Sequence, residues 1–299
     1  MSLDTKAESI IAGTIISDFK EITKIRLSIS VVFSSIAGYL LGTSVVDIQT
    51  LMLLAFGGYF MVGASNAYNQ IIERDLDALM ERTKNRPIPA GRMSVKTAFV
   101  IAVLFTILGI TALYVINPKT AMYGAISIFL YTSVYTPLKT KTPLSVFAGA
   151  IPGAIPFMLG WVAARNDFGI ESGTLFALQF FWQFPHFWAI GWFLHDDYEK
   201  AGFRMLPTGK RDKGTTVQII MYTIWTVLVS IIPVFGFTGD LKLSVVAAIV
   251  VFAVGMFMLY YAFELFKKQT EKAARQLMLA SVTYITLVQI VYVVDKFIG

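Results

Sequence analysis

Three side chains that carry oxygen ligands, Asn69, Glu73 and Asp77, are spaced four residues apart at the end of a long apolar stretch. In an α-helix, positions at this spacing drift by only about 40° per step, so the three side chains can converge on one face. Mg²⁺ binds carboxylate and amide oxygens, keeps several waters and commonly bridges to substrate phosphates. The spacing predicts a magnesium and diphosphate site at the mouth of a membrane cavity. The alternative is a solvated helix end, although ionisable groups on a lipid-embedded helix are usually functional.

A second acidic motif, Asp196 and Asp197, opens the polar segment that begins at His195, after the aromatic segment 180–188. We expect it to face the first motif across one cavity and to hold or orient a second metal ion. If the helix continues through the motif, His186 shares a stripe with Asp197, whereas His195 falls on the opposite face. His186 would then lie more than one helical turn inside the membrane, either as a substrate-binding residue or as a structural histidine bonded to a neighbouring helix.

Acidic side chains alone would repel a diphosphate, so cationic partners are needed as well as a metal. Mg²⁺ would bridge carboxylates to phosphate oxygens, and Arg and Lys would neutralise the charge of the departing group. The planar guanidinium of Arg suits bidentate phosphate contacts. Each basic residue taken singly is equally explained as a determinant of membrane topology. The candidate diphosphate-binding residues are Arg82, Lys84, Arg86, Lys139, Lys200 and Arg204.

The aromatic residues are suited to the cation that forms when diphosphate leaves an allylic carbon. The chain has 24 Phe, 13 Tyr and 5 Trp, and the cluster 180–192 with Tyr131 and Tyr135 could stabilise such a cation and exclude water. Packing or interface anchoring is the alternative role. The sequence lacks a GxSxG elbow, an HExxH motif, a P-loop and any cysteine, which excludes the common hydrolase, zinc-protease, nucleotide-driven pump and thiolate signatures.

The composition predicts a membrane protein, since 56% of the residues are hydrophobic and only 15% are charged. A spanning helix needs about 20 mostly apolar residues. We expect an all-α polytopic protein with nine transmembrane helices around a central cavity, a cytoplasmic N-terminal segment at 1–24 and one transmembrane domain at 25–299. The expected spans are 27–43, 51–72, 96–116, 120–138, 143–164, 173–194, 215–236, 242–264 and 275–297.

The distribution of basic residues predicts the orientation in the cytoplasmic (plasma) membrane. With nine spans, 21 of the 25 Lys and Arg fall on the side of the N-terminus. The positive-inside rule then makes the N-terminus cytoplasmic and the C-terminus external. The net charge of +6 follows from this orientation, so we expect no nucleic-acid partner.

These motifs resemble those of the UbiA-type intramembrane prenyltransferases, which are helical membrane proteins that bind a magnesium diphosphate between two acidic motifs. The first motif is typical of the whole superfamily, and the segments 153–161 and 182–207 are similar to the branch that modifies protohaem IX. The resemblance extends from about residue 25 to the C-terminus. It rests on the segments 69–77, 82–87, 135–139, 153–161 and 182–207.

The resemblance implies that the farnesyl group of farnesyl diphosphate is transferred to a vinyl group of haem B, giving haem O, with Mg²⁺ as cofactor. It also implies a substrate-binding role for Tyr135 and Lys139, a role for His186 in orienting or ligating haem, and contact with a downstream haem-modifying enzyme. Two other functions remain open at this point. One is prenyl transfer to an aromatic quinone precursor, and the other is secondary transport of an anionic lipid or cofactor.

Overall fold

The computed structural model describes residues 15–298; the first 14 residues of the expected N-terminal segment 1–24 therefore lie outside the described residues. The described part is helical and contains no β-strand, which confirms the all-α class. Residues 15–22 are helical, and the helices that follow are α1 Ile25–Gly42, α2 Ile48–Ile72, α3 Arg74–Asp77, α4 Val95–Ile116, α5 Pro118–Phe129, α6 Thr136–Leu138, α7 Ser145–Arg165, α8 Ile170–Phe193, α9 His195–Lys200, α10 Lys213–Ile231, α11 Val245–Lys268 and α12 Glu271–Ile298.

Short polar side chains begin many of the long helices by accepting hydrogen bonds from backbone N–H groups that have no partner inside the helix. Asp47 accepts from the N–H groups of Gln49 and Thr50 at the start of α2. Asn117, followed by a proline that cannot donate, accepts from Thr120 N–H at the start of α5. Equivalent caps begin α4, α10 and α11 at Ser94, Asp212 and Ser244.

Seven helices in the described part are long and apolar enough to cross a membrane: α1, α2, α4, α7, α10 with its 3-10 extension to Phe235, α11 and α12. The other two expected spans correspond to different structures. Between 118 and 138 the backbone stays helical, but the π-helical segment Leu130–Tyr135 joins α5 to α6, so the stretch is not one regular α-helix. Helix α8 is long, but its Gln, His and Pro residues lower its mean hydropathy, so it is not among the seven.

Helix α7 lies in the interior, where it packs against α1, α5 and α8. The crossing of α1 and α7 is very close because glycines face each other there. A Cβ atom on Gly160 would lie 1.9 Å from the carbonyl oxygen of Ser35, and one on Gly38 would lie 2.0 Å from that of Phe157. Without a hydrophobic driving force between helices in lipid, such small residues allow the backbone approach that provides packing energy.

The connections that carry most of the charged residues meet at one end of the helices, which we call the loop end. The backbone N–H of Arg204 donates to the carbonyl of Lys139 at 2.7 Å, and Asp197 accepts from the N–H of Glu81 at 2.8 Å. The segments 73–94, 139–144 and 194–212 are therefore in mutual contact. The C-terminal helix ends at the opposite end, where the ammonium of Lys296 donates to α1 carbonyls.

Candidate active site

A cavity of about 780 Å³ lies among α1, α2, α7, α8 and α12 and extends to the loop end. Its volume is in the range of pockets that enclose small-molecule ligands, and its wall is largely apolar with a few convergent polar groups. Eight of the sequence-predicted site residues line it: Asn69, Glu73, Asp77, Arg82, Arg86, Tyr135, Lys139 and His186.

The first acidic motif forms a buried row on the cavity wall. Asn69 lies in the last turns of α2, which ends at Ile72, and the single turn α3 continues in register, so that Glu73 and Asp77 follow on the same face. All three side chains are buried, with Asp77 completely inaccessible. Buried carboxylates need compensating charges, because the loss of hydration costs several kcal/mol per ion.

Two basic side chains supply that compensation. The Arg86 guanidinium lies 2.6 Å from Asp77 Oδ2, and Lys139 Nζ lies 2.8 Å from Glu73 Oε1. Lys139 also sits 4.6 Å from the ring centroid of Tyr135, at the end of the π-helical segment. The carboxylates are therefore already paired with the cations that would receive a diphosphate.

The row also has the ligand chemistry that a magnesium diphosphate requires. Within residues 15–298 no three His, Asp or Glu side chains are grouped as a complete cation site. However, the buried Asp77 Oδ1 and Asn66 Oδ1 atoms accept no hydrogen bond from the described residues, and Glu73 Oε1 contacts Lys139 without the alignment of a hydrogen bond. Carboxylate and amide oxygens suit Mg²⁺, which completes its shell with water and phosphate oxygens.

Asp197, from the second acidic motif, binds the loop that follows the first. Its carboxylate accepts from the backbone N–H groups of Glu81 at 2.8 Å and Arg82 at 3.2 Å, and Lys200 lies 3.5 Å away. Burial opposes ionisation of Asp197, but the two backbone donors and Lys200 outweigh it and hold its pKa below the ordinary value. Asp197 thus fixes the position of Arg82 without itself lining the cavity.

Four other predicted residues also lie outside the cavity wall, namely Lys84, Asp196, Lys200 and Arg204. Lys84 pairs with Glu81, and the exposed Asp196 lies 3.3 Å from Arg211. The second motif lies on α9, which begins at His195 just after α8 ends at Phe193. Its carboxylates have partners outside the cavity, since Asp197 accepts from the backbone of the 81–82 loop and Asp196 lies at the surface beside Arg211.

Several lining residues were not predicted from the sequence. Asn66 lies one turn before Asn69 on the same face, so helical periodicity could have found it. Lys24, which precedes α1, has a left-handed backbone (φ 46°) that no spacing rule reveals. Burial, together with repulsion from Arg86 and Lys139, lowers the pKa of Lys24 to about 7.

Only part of the aromatic segment in α8 faces the cavity. Trp182 and Phe187 line it with His186, whereas Phe184, Trp188 and Trp192 are buried against other helices. On the opposite wall the rings of Tyr131 and Tyr135 lie 5.3 Å apart. The predicted aromatic lining thus consists of side chains from α8 and the π-helical segment.

Comparison with known proteins agrees with this architecture. Residues 31–285 match the model of the UbiA prenyltransferase family. The chain belongs to the UbiA prenyltransferase family. This finding confirms the resemblance read from the two motifs. The matched region contains the acidic row and its basic partners Arg86 and Lys139, whereas a few residues of the cavity wall, such as Lys24 and Gln289, lie just outside it.

Individual relatives of this UbiA-family chain agree over nearly its whole length. It is 72% identical over 287 residues to the "Protoheme IX farnesyltransferase" of Christiangramia forsetii, covering 96% of each chain. A solved digeranylgeranylglyceryl phosphate synthase shares the fold at 18% identity, with a TM-score of 0.76 over 94% of this chain and 98% of that one. A UbiA homolog from Archaeoglobus fulgidus, solved with GPP and Mg²⁺, has a TM-score of 0.66 at 15% identity, over 92% of this chain and 99% of that one.

Proposed function

We propose that this UbiA-family protein transfers the farnesyl group of farnesyl diphosphate to a vinyl group of haem B, giving haem O. The observation that carries the proposal is the 72% identity, over 96% of both chains, to a protein named for farnesyl transfer to protohaem IX. The cavity adds chemical support, since it joins a cation-rich acidic row to an aromatic wall with a histidine.

The diphosphate binds at the loop end of the cavity in this proposal. Arg82, Arg86 and Lys139 contact its oxygens, and Asn69, Glu73 and Asp77 hold the magnesium side. Mg²⁺, when bound, withdraws charge from the diphosphate and favours its departure. Support comes from the buried Oδ1 atoms of Asp77 and Asn66, which accept no hydrogen bond from residues 15–298, and from a homologous fold solved with GPP and Mg²⁺.

The chemical step joins three reactants. The bond between farnesyl C1 and its diphosphate oxygen breaks, and C1 bonds to the terminal carbon of a haem vinyl group. The positive charge then on the inner vinyl carbon is captured by the oxygen of water, which loses a proton. Tyr131, Tyr135 and Trp182 surround this region of the cavity and favour a cation over neutral species.

In this proposal residues 25–299 form a transmembrane domain that crosses the plasma membrane nine times. Helix α8 and the segment from α5 to α6 provide the two spans beyond the seven apolar helices. The N-terminal segment 1–24 and the loop end are cytoplasmic, and the C-terminus is external. The meeting of segments 73–94, 139–144 and 194–212 at one end supports this alternation. The product gains a long apolar farnesyl chain, which would keep it in the bilayer for transfer to a downstream haem-modifying enzyme.

The two other functions considered from the sequence receive less support. A quinone-precursor prenyltransferase would share the acidic row, but the high identity is to a farnesyltransferase of protohaem IX. A transporter would need charged sites open in turn to both sides. In the described residues, the acidic row and its cationic partners lie together at the loop end.

The proposal is tested by incubating the purified protein with haem B, farnesyl diphosphate and Mg²⁺ and identifying the pigment by mass spectrometry. We expect a haem whose mass has increased by one farnesyl group and one hydroxyl group. Parallel reactions with a 4-hydroxybenzoate-like acceptor serve as the comparison. Prenylation of that acceptor, with haem B unchanged, would replace the proposal with the quinone-precursor activity.

A further inference from the structure

Ser281, on the last helix, binds two side chains of α8 at once. Its carbonyl oxygen accepts a hydrogen bond from the indole N–H of Trp182 at 2.6 Å, and its hydroxyl oxygen lies 2.9 Å from His186 Nδ1. Ser281 is completely buried. Because Trp182 and His186 are one helical turn apart, a single residue of α12 fixes both rings.

The hydrogen bonds of Ser281 favour the tautomer of His186 that carries hydrogen on Nδ1. The hydroxyl of Ser281 has one hydrogen, which it donates to the carbonyl of Met278 at 2.7 Å. Its oxygen can then only accept from His186, so the imidazole donates through Nδ1–H. A neutral imidazole has one N–H group, which leaves a free lone pair on Nε2.

The orientation of the ring makes this lone pair available in the cavity. His186 is a lining residue, and no group among residues 15–298 forms a hydrogen bond with its Nε2. The imidazole stacks on the indole of Trp182, with ring centroids 4.7 Å apart and planes inclined by 19°. Stacking on one face and the Ser281 bond at Nδ1 together restrict rotation of the ring.

We propose that Ser281 is a positioning residue that holds His186 with Nε2 ready to bind the iron of the haem acceptor. This inference rests on the proposed function, since it takes haem B as the substrate. Histidine ligands of metals commonly donate their other N–H to a fixed acceptor, which sets both the tautomer and the direction of the metal bond. Ser281 is that acceptor here.

An iron bond at this depth places the porphyrin beyond the diphosphate site. His186 lies eight residues before Leu194, which lines the cavity at the loop end, so the two levels are about 12 Å apart along α8. The acidic row occupies the loop end of the same cavity. Anchoring at the iron thus leaves the rim of the porphyrin, which carries the vinyl groups, free to approach farnesyl C1.

Haem-binding spectra without farnesyl diphosphate test the inference separately from transfer. Ferric haem B is titrated into purified wild-type, Ser281→Ala, Ser281→Thr and Thr283→Ala proteins, and the Soret band is followed. Thr283 is a matched control, since its exposed hydroxyl donates to the carbonyl of Leu279 in its own helix. We expect Ser281→Ala to lose the imidazole-ligated spectrum and roughly 10–100-fold in affinity, with Ser281→Thr and Thr283→Ala close to wild type.

A second measurement does not depend on the folding of the Ser281 variants. In His186→Ala, added imidazole should restore the ligated spectrum, and the preference of the wild type for haem B over iron-free protoporphyrin IX should disappear. Equal affinities of wild-type protein for the two porphyrins, or an unchanged spectrum in His186→Ala, would overturn the inference. If the inference fails in either way but the wild-type protein still forms haem O, the proposed function stands. If the variants lose the ligated spectrum but the wild-type protein forms no haem O, the proposed function alone is refuted.

Discussion

Asp197 accepts a hydrogen bond from the backbone N–H of Glu81, a residue 116 positions earlier in the chain. The two acidic motifs are therefore joined through a side chain of one and the main chain of the other. Through this bond α9 holds the loop after α3, which carries Arg82 and Arg86 to the cavity wall. The second motif thus fixes the basic loop of the candidate site.

Replacing Asp197 with Asn should destabilise the loop end. The amide retains one acceptor but faces the second backbone donor with an NH₂ group, and a charge-assisted hydrogen bond is worth about 1.5–3 kcal/mol. Thermal unfolding in detergent would show a lower midpoint for Asp197→Asn. Asp196→Asn, which changes an exposed neighbour, is the matched control, and equal midpoints for the two variants would contradict this role.

The contact between Asp197 and the 81–82 backbone predicts that the stability of the protein depends on pH. The pKa of Asp197 is lowered in the folded protein, so its stabilisation is fully present above the unfolded-state value of about 3.9. It is lost as the pH falls through the lowered folded-state value. The stability difference between wild type and Asp197→Asn should therefore be constant near neutrality and shrink below about pH 4. A difference that grew in acid would contradict the assignment.

Asp77→Asn should abolish most farnesyl transfer while the protein still inserts into the membrane. The change keeps the shape of the side chain but removes the charge that faces both Arg86 and the metal, and losing such electrostatic support typically costs about 10²–10³ in rate. Asp75, which is exposed and pairs with Arg74, provides the control. Haem O formation is the assay, and a normal rate for Asp77→Asn would refute the metal role of this row.

Lys139→Met should lower stability and raise the KM for farnesyl diphosphate. Without the ammonium, Glu73 is left buried and unpaired, which costs about 3–5 kcal/mol in comparable buried pairs. Lys141→Met removes an exposed ammonium from the same loop and should change neither quantity. Matching effects of the two substitutions would show that Lys139 acts only through the overall charge of the loop.

Gly160→Ala should weaken the crossing of α1 and α7. The added Cβ would lie 1.9 Å from the carbonyl of Ser35, so the backbones must separate, at a cost of about 1–3 kcal/mol for overpacking. Gly173→Ala, where a Cβ meets nothing within 4 Å, is the comparison. The unfolding midpoint should fall for Gly160→Ala alone, and an unaltered midpoint would mean that the helices adjust freely.

The sequence predicted those parts of the site that depend on helical periodicity. Asn69, Glu73 and Asp77 lie in one row because α3 continues the direction of α2, and their basic partners follow within a short loop. Charge alternation in the loops correctly indicated that segments 73–94 and 194–212 share one end. The all-helical class and membership of the UbiA family were predicted for the same reason, since both depend on local patterns.

The remaining features depend on contacts that no spacing encodes. The role of Asp197 comes from backbone N–H groups of a distant loop, which look alike in any sequence. The hydrogen bond between His186 and Ser281 joins α8 to α12 through two residues that are 95 positions apart in the chain. Asp196 lies beside Arg211, which is 15 positions later and in another segment, so helical spacing could not predict the contact.

Locating the cation is the most direct test of the magnesium diphosphate site. Crystals grown with Mn²⁺ and farnesyl thiodiphosphate would show the metal by its anomalous scattering. We expect a peak about 2.1 Å from an oxygen of Asp77, bridging to the thiodiphosphate beside Arg86. A peak found only at exposed carboxylates such as Asp196, with the thiodiphosphate bound away from the row, would contradict the account.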